Sequence, residues 1–335
     1  MDSLRDALRD AYVRGSMVPL RESRDCRIPS ALNLTLCCIQ ASIALALLHA
    51  ASQAATMARA IIPAIAFAFI MQAGFCLAHE AVHGKLLRNR RANVYAGILL
   101  FAFFPGSYHF FEIAHLVHHH RNRSDAELED YVLDGENAMV KRVCYYLLIC
   151  GLFWLLVPLC SLAAALTPAR RASLPPPGAR AGQFRRFAQF VNDLRLNRVR
   201  RDVAIVILFW LAAAPLLHLT WRGVALCYAA FAFSWASQQY IYHVRTPRHA
   251  VLGSLDLHLP RPMELFYLNF NYHLTHHLAV WVPWIYLNRL APERPSLGYI
   301  RTYLQLWRPP ERIEAAWPDA FQTTGAVPAR EEAAR

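Results

Sequence analysis

The chain has 335 residues, 56% of them hydrophobic and 17% charged, with a formal net charge of +12. A soluble domain carries about 25% charged residues, so this balance excludes a disordered chain or a nucleic-acid arm and points to a polytopic membrane protein. The positive charge is nearly all arginine, since Lys85 and Lys141 are the only lysines, and by itself it assigns no function.

Residues 1–30 are arginine-rich and show no cleavable-signal pattern. Leu4, Leu8 and Tyr12 recur at four-residue spacing, which predicts a short amphipathic helix lying on the cytosolic face of a membrane. Residues 31–50 and 57–78 share a single charge, Arg59, and are joined by a short polar run. Residues 203–219 and 223–240 are joined by a tight turn with Trp221 and Arg222. About 20 apolar residues span a bilayer, so these segments read as two transmembrane hairpins with small outer loops.

Two further apolar stretches are shallower. Residues 94–104 end at Pro105-Gly106 and are too short to cross. Residues 167–202 hold Arg170, Arg171, Arg180, Arg185, Arg186, Arg195, Arg198, Arg200 and Arg201. The positive-inside rule places that loop in the cytosol with residues 1–30, so 143–166 cannot cross once. We expect it to be a re-entrant or interfacial segment bent near Pro158. The expected fold is an all-α membrane protein with four transmembrane helices, a cytosolic helical cap and both termini cytosolic. A cytosolic segment (1–30), a membrane domain (31–300) and a partly disordered tail (301–335) divide the chain. The eight cysteines form no CxxC pair and predict no disulfide framework.

The chemistry lies in the 15 histidines. His79 and His83 stand at i and i+4, one face of a helix, where the second span reaches the cytosol. His115, His118 and His119 form HxxHH, and His273, His276 and His277 repeat it. Imidazole is the commonest neutral metal ligand, and eight of them exceed what one ion accepts. His79-Glu80-Ala81-Val82-His83 also fits the HExxH of zinc proteases with Glu80 as general base, but that reading leaves both HxxHH groups unexplained. His49 and His218 fall at the outer ends of spans. His120 faces away from His119, and His109, His249 and His258 carry no assignment. Phe101, Phe103 and Phe104 read as core or lipid-facing.

The ordered trio HxxxH, HxxHH, HxxHH resembles the membrane-bound fatty acid desaturase superfamily. Supporting it are Gly84 after the first box, the acidic residues Asp125, Glu127, Glu129 and Asp130 after the second, and Val282-Pro283-Trp284 after the third. The resemblance implies a non-haem centre of two Fe ions, with O2 as co-substrate, held by His79, His83, His115, His118, His119, His273, His276 and His277. A ninth ligand after the fourth span corresponds to His243, with Gln239 four residues earlier reaching a metal through water. Asn269 and Asn271 are candidates for orienting imidazoles.

The implied reaction removes two hydrogens from an acyl chain, held in an apolar tunnel between the hairpins, to form a C=C bond. Alternatives on the same scaffold are a hydroxylase, ketolase, acetylenase or terminal-alkene-forming decarboxylase acting on a fatty acid or carotenoid. A metal- or lipid-binding protein without turnover is a further class. The substrate is an acyl lipid, acyl thioester or free fatty acid. No His-Pro-Gly-Gly or GxGxxG motif is present, so a separate electron donor, ferredoxin-type or cytochrome, is expected, with the basic loop 179–201 a candidate dock.

Overall fold

The computed structural model describes residues 2–18, 26–168 and 194–313. Arg170, Arg171, Arg180, Arg185 and Arg186 of the basic loop lie outside the described residues.

The first hairpin consists of α2 (Ser30–Gln53) and α3 (Met57–Val82). Thr56 caps α3, its hydroxyl accepting from Arg59 N at 3.3 Å. At 1.5 Å per residue both helices exceed the roughly 30 Å of bilayer hydrocarbon. Ala44, Leu48 and Ala51 of α2 and Ala60, Ala64 and Ala68 of α3 are buried. Small residues let helices approach closely where lipid offers no hydrophobic driving force.

The second hairpin consists of α8 (Leu196–Leu216) and α9 (Trp221–Tyr240). Its outer turn meets that of the first hairpin: His49 Nδ1 donates to Leu217 O at 2.8 Å and Gln53 donates to His218 O at 2.8 Å. A Cβ on Gly223 would lie 2.6 Å from Ser52 Cα, so glycine permits this crossing. His49 and His218 therefore lie together where the turns of the two hairpins meet. Between the hairpins, Phe67, Met71, Phe75, Phe101, Phe104, Phe231 and Trp235 form the core. The aromatic run at 101–104 is thus packing.

Among the described residues, three helical runs are long and apolar enough to cross a membrane: Ser30–Gln53, Met57–Val82 and Ala138–Leu166. The last combines α6 (Ala138–Leu147), a π turn (Leu148–Leu152) and α7 (Phe153–Leu166). Its break falls at Gly151, with φ 130° and ψ −16°, while Pro158 sits inside α7. The bend expected near Pro158 is therefore displaced. A φ of that kind is open to glycine, whereas proline keeps a helix-compatible φ. Both ends of the run return to one end of the molecule. Lys141 lies 3.4 Å from Glu129, and Arg200 donates to Ala165 O at 3.0 Å and Thr167 O at 2.6 Å.

Helices α4 (Arg90–Ala102) and α5 (Tyr108–Arg121) lie at that same end. With 13 residues, α4 is too short to span, as expected. The cap is completed by α10 (Arg261–Phe266), α11 (His273–Leu278), α12 (Trp284–Leu290) and α13 (Tyr299–Leu306). Two short parallel pairs close it, β1 (Tyr131–Val132) with β4 (Glu311–Arg312) and β2 (Leu257–His258) with β3 (Leu297–Gly298). Residues 301–312 of the expected tail thus pack on the body through α13 and β4, and 314–335 lie outside the described residues.

The N-terminal helix α1 (Asp2–Arg14) is amphipathic, but its apolar face meets protein rather than lipid. Leu4, Leu8 and Ala11 are buried with Tyr272, Leu278, Trp281 and Leu287. All eight cysteines are free thiols.

Candidate metal centre

Each histidine box is delivered by a terminated helix or a pinned turn. The first box sits on the last turn of α3. Gly84 adopts φ 67°, its N–H bonds Ala81 O at 3.0 Å, and Lys85 N bonds Glu80 O at 2.7 Å. This paired closure ends the helix directly after His83. The second box lies on α5, whose start is fixed from α8. Asp202 Oδ2 accepts from Ser107 Oγ at 2.9 Å, His109 N at 3.0 Å and His109 Nδ1 at 2.7 Å. At its other end, Asn122 Nδ2 donates to Ala250 O at 2.9 Å and Gly253 O at 3.0 Å. The third box is α11, where Asp256 accepts from Thr275 N at 3.0 Å and Thr275 Oγ1 at 2.6 Å.

The boxes converge with His243 into two groups. His79, His83, His115, His119 and His276 form one, and His118, His243, His273 and His277 form the other, with one ring nitrogen per residue all within 4.8 Å of one another. Helix periodicity sorts them. In α5 the i and i+4 rings enter the first group and the i+3 ring the second, and in α11 this is reversed. His79-x-x-x-His83 then supplies two rings to the first group. Its counterpart, Gln239-x-x-x-His243, supplies one ring to the second. The groups are neighbours, with His119 and His277 ring centroids 4.4 Å apart.

The spacing identifies what such groups suit. Nε2 of His115 lies 2.9 Å from that of His83 and 3.0 Å from that of His119, and His276 Nε2 lies 3.2 Å from His119 Nε2. In the second group, His273 and His243 Nε2 atoms are 3.1 Å apart. Donors at adjacent corners of an octahedron with metal–imidazole bonds of about 2.1 Å stand about 3.0 Å apart. His79 Nε2 and both ring nitrogens of His277 are buried without a hydrogen-bond partner. A buried polar atom left so is costly unless a ligand satisfies it. Burial, with the crowding of neighbouring imidazoles, holds His115, His119, His273 and His277 well below the usual histidine range, and His276 is lowered to about 3. The rings are thus neutral, the form that binds a metal. The two groups could hold two metal ions through nitrogen alone.

Other expected residues fall elsewhere. Gln239 is half-buried one turn before His243, with no side-chain hydrogen bond among the described residues. Asn269 donates to Trp284 O at 3.0 Å, and Asn271 donates to Leu257 O at 2.8 Å. Neither amide bonds an imidazole; both brace the backbone leading into the third box, because main-chain carbonyls lie closer than the rings. Glu80 accepts from Trp284 N at 3.2 Å and belongs to neither histidine group, which removes the geometry a zinc-protease base requires. His120 is exposed, and His249 Nδ1 accepts from Val251 N and Leu252 N at 3.1 Å each.

Sequence reasoning missed the supports. Asp202 carries no signal beyond being an acid at the head of an apolar helix. Glu127 stood in the acidic patch after the second box, but its partner, His118 Nδ1 at 2.6 Å, is visible only in the fold. Aromatic rings wall the inner side: Phe111 stacks on His115 at 5.8 Å, and Phe270 stands 5.0 Å from His79 and 4.9 Å from His273.

A family model described as fatty acid desaturase matches residues 54–307. A search of the curated proteins gave no match. The match takes in most of the chain and all nine converging histidines, and the protein belongs to the fatty acid desaturase family.

Proposed function

We propose that this protein is an oxygen-dependent membrane fatty acyl desaturase whose nine histidines, His79, His83, His115, His118, His119, His243, His273, His276 and His277, hold two irons. The observation that carries this reading is the pair of adjacent all-histidine groups inside a chain of this family. When bound, the irons supply reductive activation of O2, which an unactivated C–H bond requires and acid–base side chains lack. The chain's own residues position and exclude. Phe75, Phe111, Phe270 and Trp235 keep bulk water from the inner side of the histidines. An apolar groove of about 460 Å³ between α7 and α8, lined by Pro105, Leu162, Val206, Trp210 and Leu211, offers room for acyl chain beside the turn that starts α5. Phe67, Phe104, Phe231 and Trp235 pack between the hairpins. In this reading Gln239, one turn before His243, makes a water-mediated tenth contact.

We read four crossings, α2 and α3 together with α8 and α9, which are less apolar than the three runs above but pair with α2 at the turns that join each hairpin, with the α6–α7 run re-entrant. Its support is that both ends of that run meet the histidine end and Gly151 divides it into pieces too short to span. That end also carries Lys85, Arg90, Arg91, Arg198, Arg200 and Arg201, whereas the outer turns carry Arg59 and Arg222. The histidine end and both termini are therefore cytosolic in this reading. Electrons come from a separate donor, for which the arginines heading α8 are a candidate dock. The test is mass spectrometry of lipids and hydrocarbons from a host expressing the chain. A fatty acyl product two mass units lighter supports desaturation. A gain of sixteen, or a terminal alkene, replaces it with hydroxylation or decarboxylation.

A further inference from the structure

We propose that Glu127 is a positioning residue that makes the two metal sites unequal, by accepting a hydrogen bond from Nδ1–H of His118 and aiming that ring's Nε2 into the four-histidine group. The inference rests on the two-iron reading above. Oε2 of Glu127 lies 2.6 Å from His118 Nδ1. A carboxylate has no proton to give, so the bond holds His118 in one tautomer and leaves the Nε2 lone pair for a metal. An anion on the far nitrogen also makes the ring a stronger donor.

The arrangement is selective at three levels. Of the four acids following the second box, three are committed to cations: Asp125 to Arg248, Glu129 to Lys141 and Asp130 to Arg123. Glu127 alone of the four bonds a histidine. Within its group, His243 is fixed in the same tautomer, but by a neutral partner, Gly253 O at 2.9 Å. In the five-histidine group no ring bonds a carboxylate among the described residues, and His119 Nδ1 is buried with no partner. The group with one imidazole fewer is thus the one that receives a negative charge at its rim. The side chains of His118 and Glu127 are 24% and 29% exposed, so solvent and small solutes reach this edge.

Purified protein loaded anaerobically with iron(II) tests the proposal by iron content, by the rate of removal with an iron(II) chelator and by Mössbauer spectroscopy. The wild type should hold two irons per chain. In Glu127→Gln, one iron should leave at least about tenfold faster while the other keeps its wild-type rate, and one of the two Mössbauer doublets should shift. Glu127→Ala should do the same, and Glu129→Gln, which touches no histidine, should change neither. Two irons that both leave Glu127→Gln at the wild-type rate, or both leave equally faster, overturn the proposal alone. A wild type that takes up fewer than two irons overturns the two-iron reading with it.

Discussion

The phenol of Tyr108 donates to the main-chain carbonyl of Ala81 at 2.8 Å, tying the helix of the second histidine box to that of the first. Asn93 Nδ2 reaches the same carbonyl at 2.8 Å, so three elements meet on one oxygen two residues from His79 and two from His83. Tyr108→Phe removes one donor but leaves the acceptor satisfied. Its expected cost is about 1 kcal/mol, seen as a lower unfolding temperature in detergent with full metal content.

Asp202 is a harsher case, being fully buried and holding three donors at the start of α5. Asp202→Ala leaves Ser107 and His109 without their acceptor inside the protein. Breaking a buried charged network costs about 3–5 kcal/mol. Chemical unfolding should show a loss of that order, with weakened metal uptake; a loss below 1 kcal/mol would contradict this role.

The carboxyl of Asp256 gives the clearest pH dependence away from the ligands themselves. Burial raises its pKa from 3.8 to about 6, against the opposing bonds from Thr275. Between those values the folded state holds the proton more often than the unfolded one, so stability falls as pH rises through this window. Asp256→Asn removes that penalty. The unfolding midpoints of variant and wild type should therefore separate in the variant's favour as pH rises from 4 to 7, and a separation in the opposite direction would refute the assignment.

Glu80 discriminates between metal chemistries. Its side chain accepts from Trp284 N at the head of α12. Glu80→Gln keeps an acceptor for that N–H, so oxygen consumption with a reductant should stay within a few-fold of wild type. Abolished turnover with intact metal content would make Glu80 a catalytic base.

The histidine boxes were legible because helix spacing alone puts i, i+3 and i+4 on one face, and their order carried the family. His243 was expected only through the resemblance, which implies a further ligand after the last span, and it lies in the four-histidine group. What spacing could not say is which ring serves which group, because that depends on how α3, α5 and α11 cross. The amphipathic stripe of α1 was legible too, but amphipathicity does not name its partner, and Leu4 and Leu8 found α11 and α12 instead of lipid. The break at Gly151 was hidden behind Pro158, since a proline advertises a bend in sequence and a glycine does so only once its φ is seen. Asn269 and Asn271 illustrate the same limit. An amide near a ligand reads as a partner for it until a nearer carbonyl is found.

Metal analysis of His243→Ala beside the wild type decides whether these histidines hold two irons in two distinct groups, as proposed. Loaded anaerobically with iron, the wild type should carry two irons per chain and His243→Ala about one, since His243 belongs only to the four-histidine group. A single zinc per wild-type chain, or two irons held as firmly by His243→Ala as by the wild type, would contradict it.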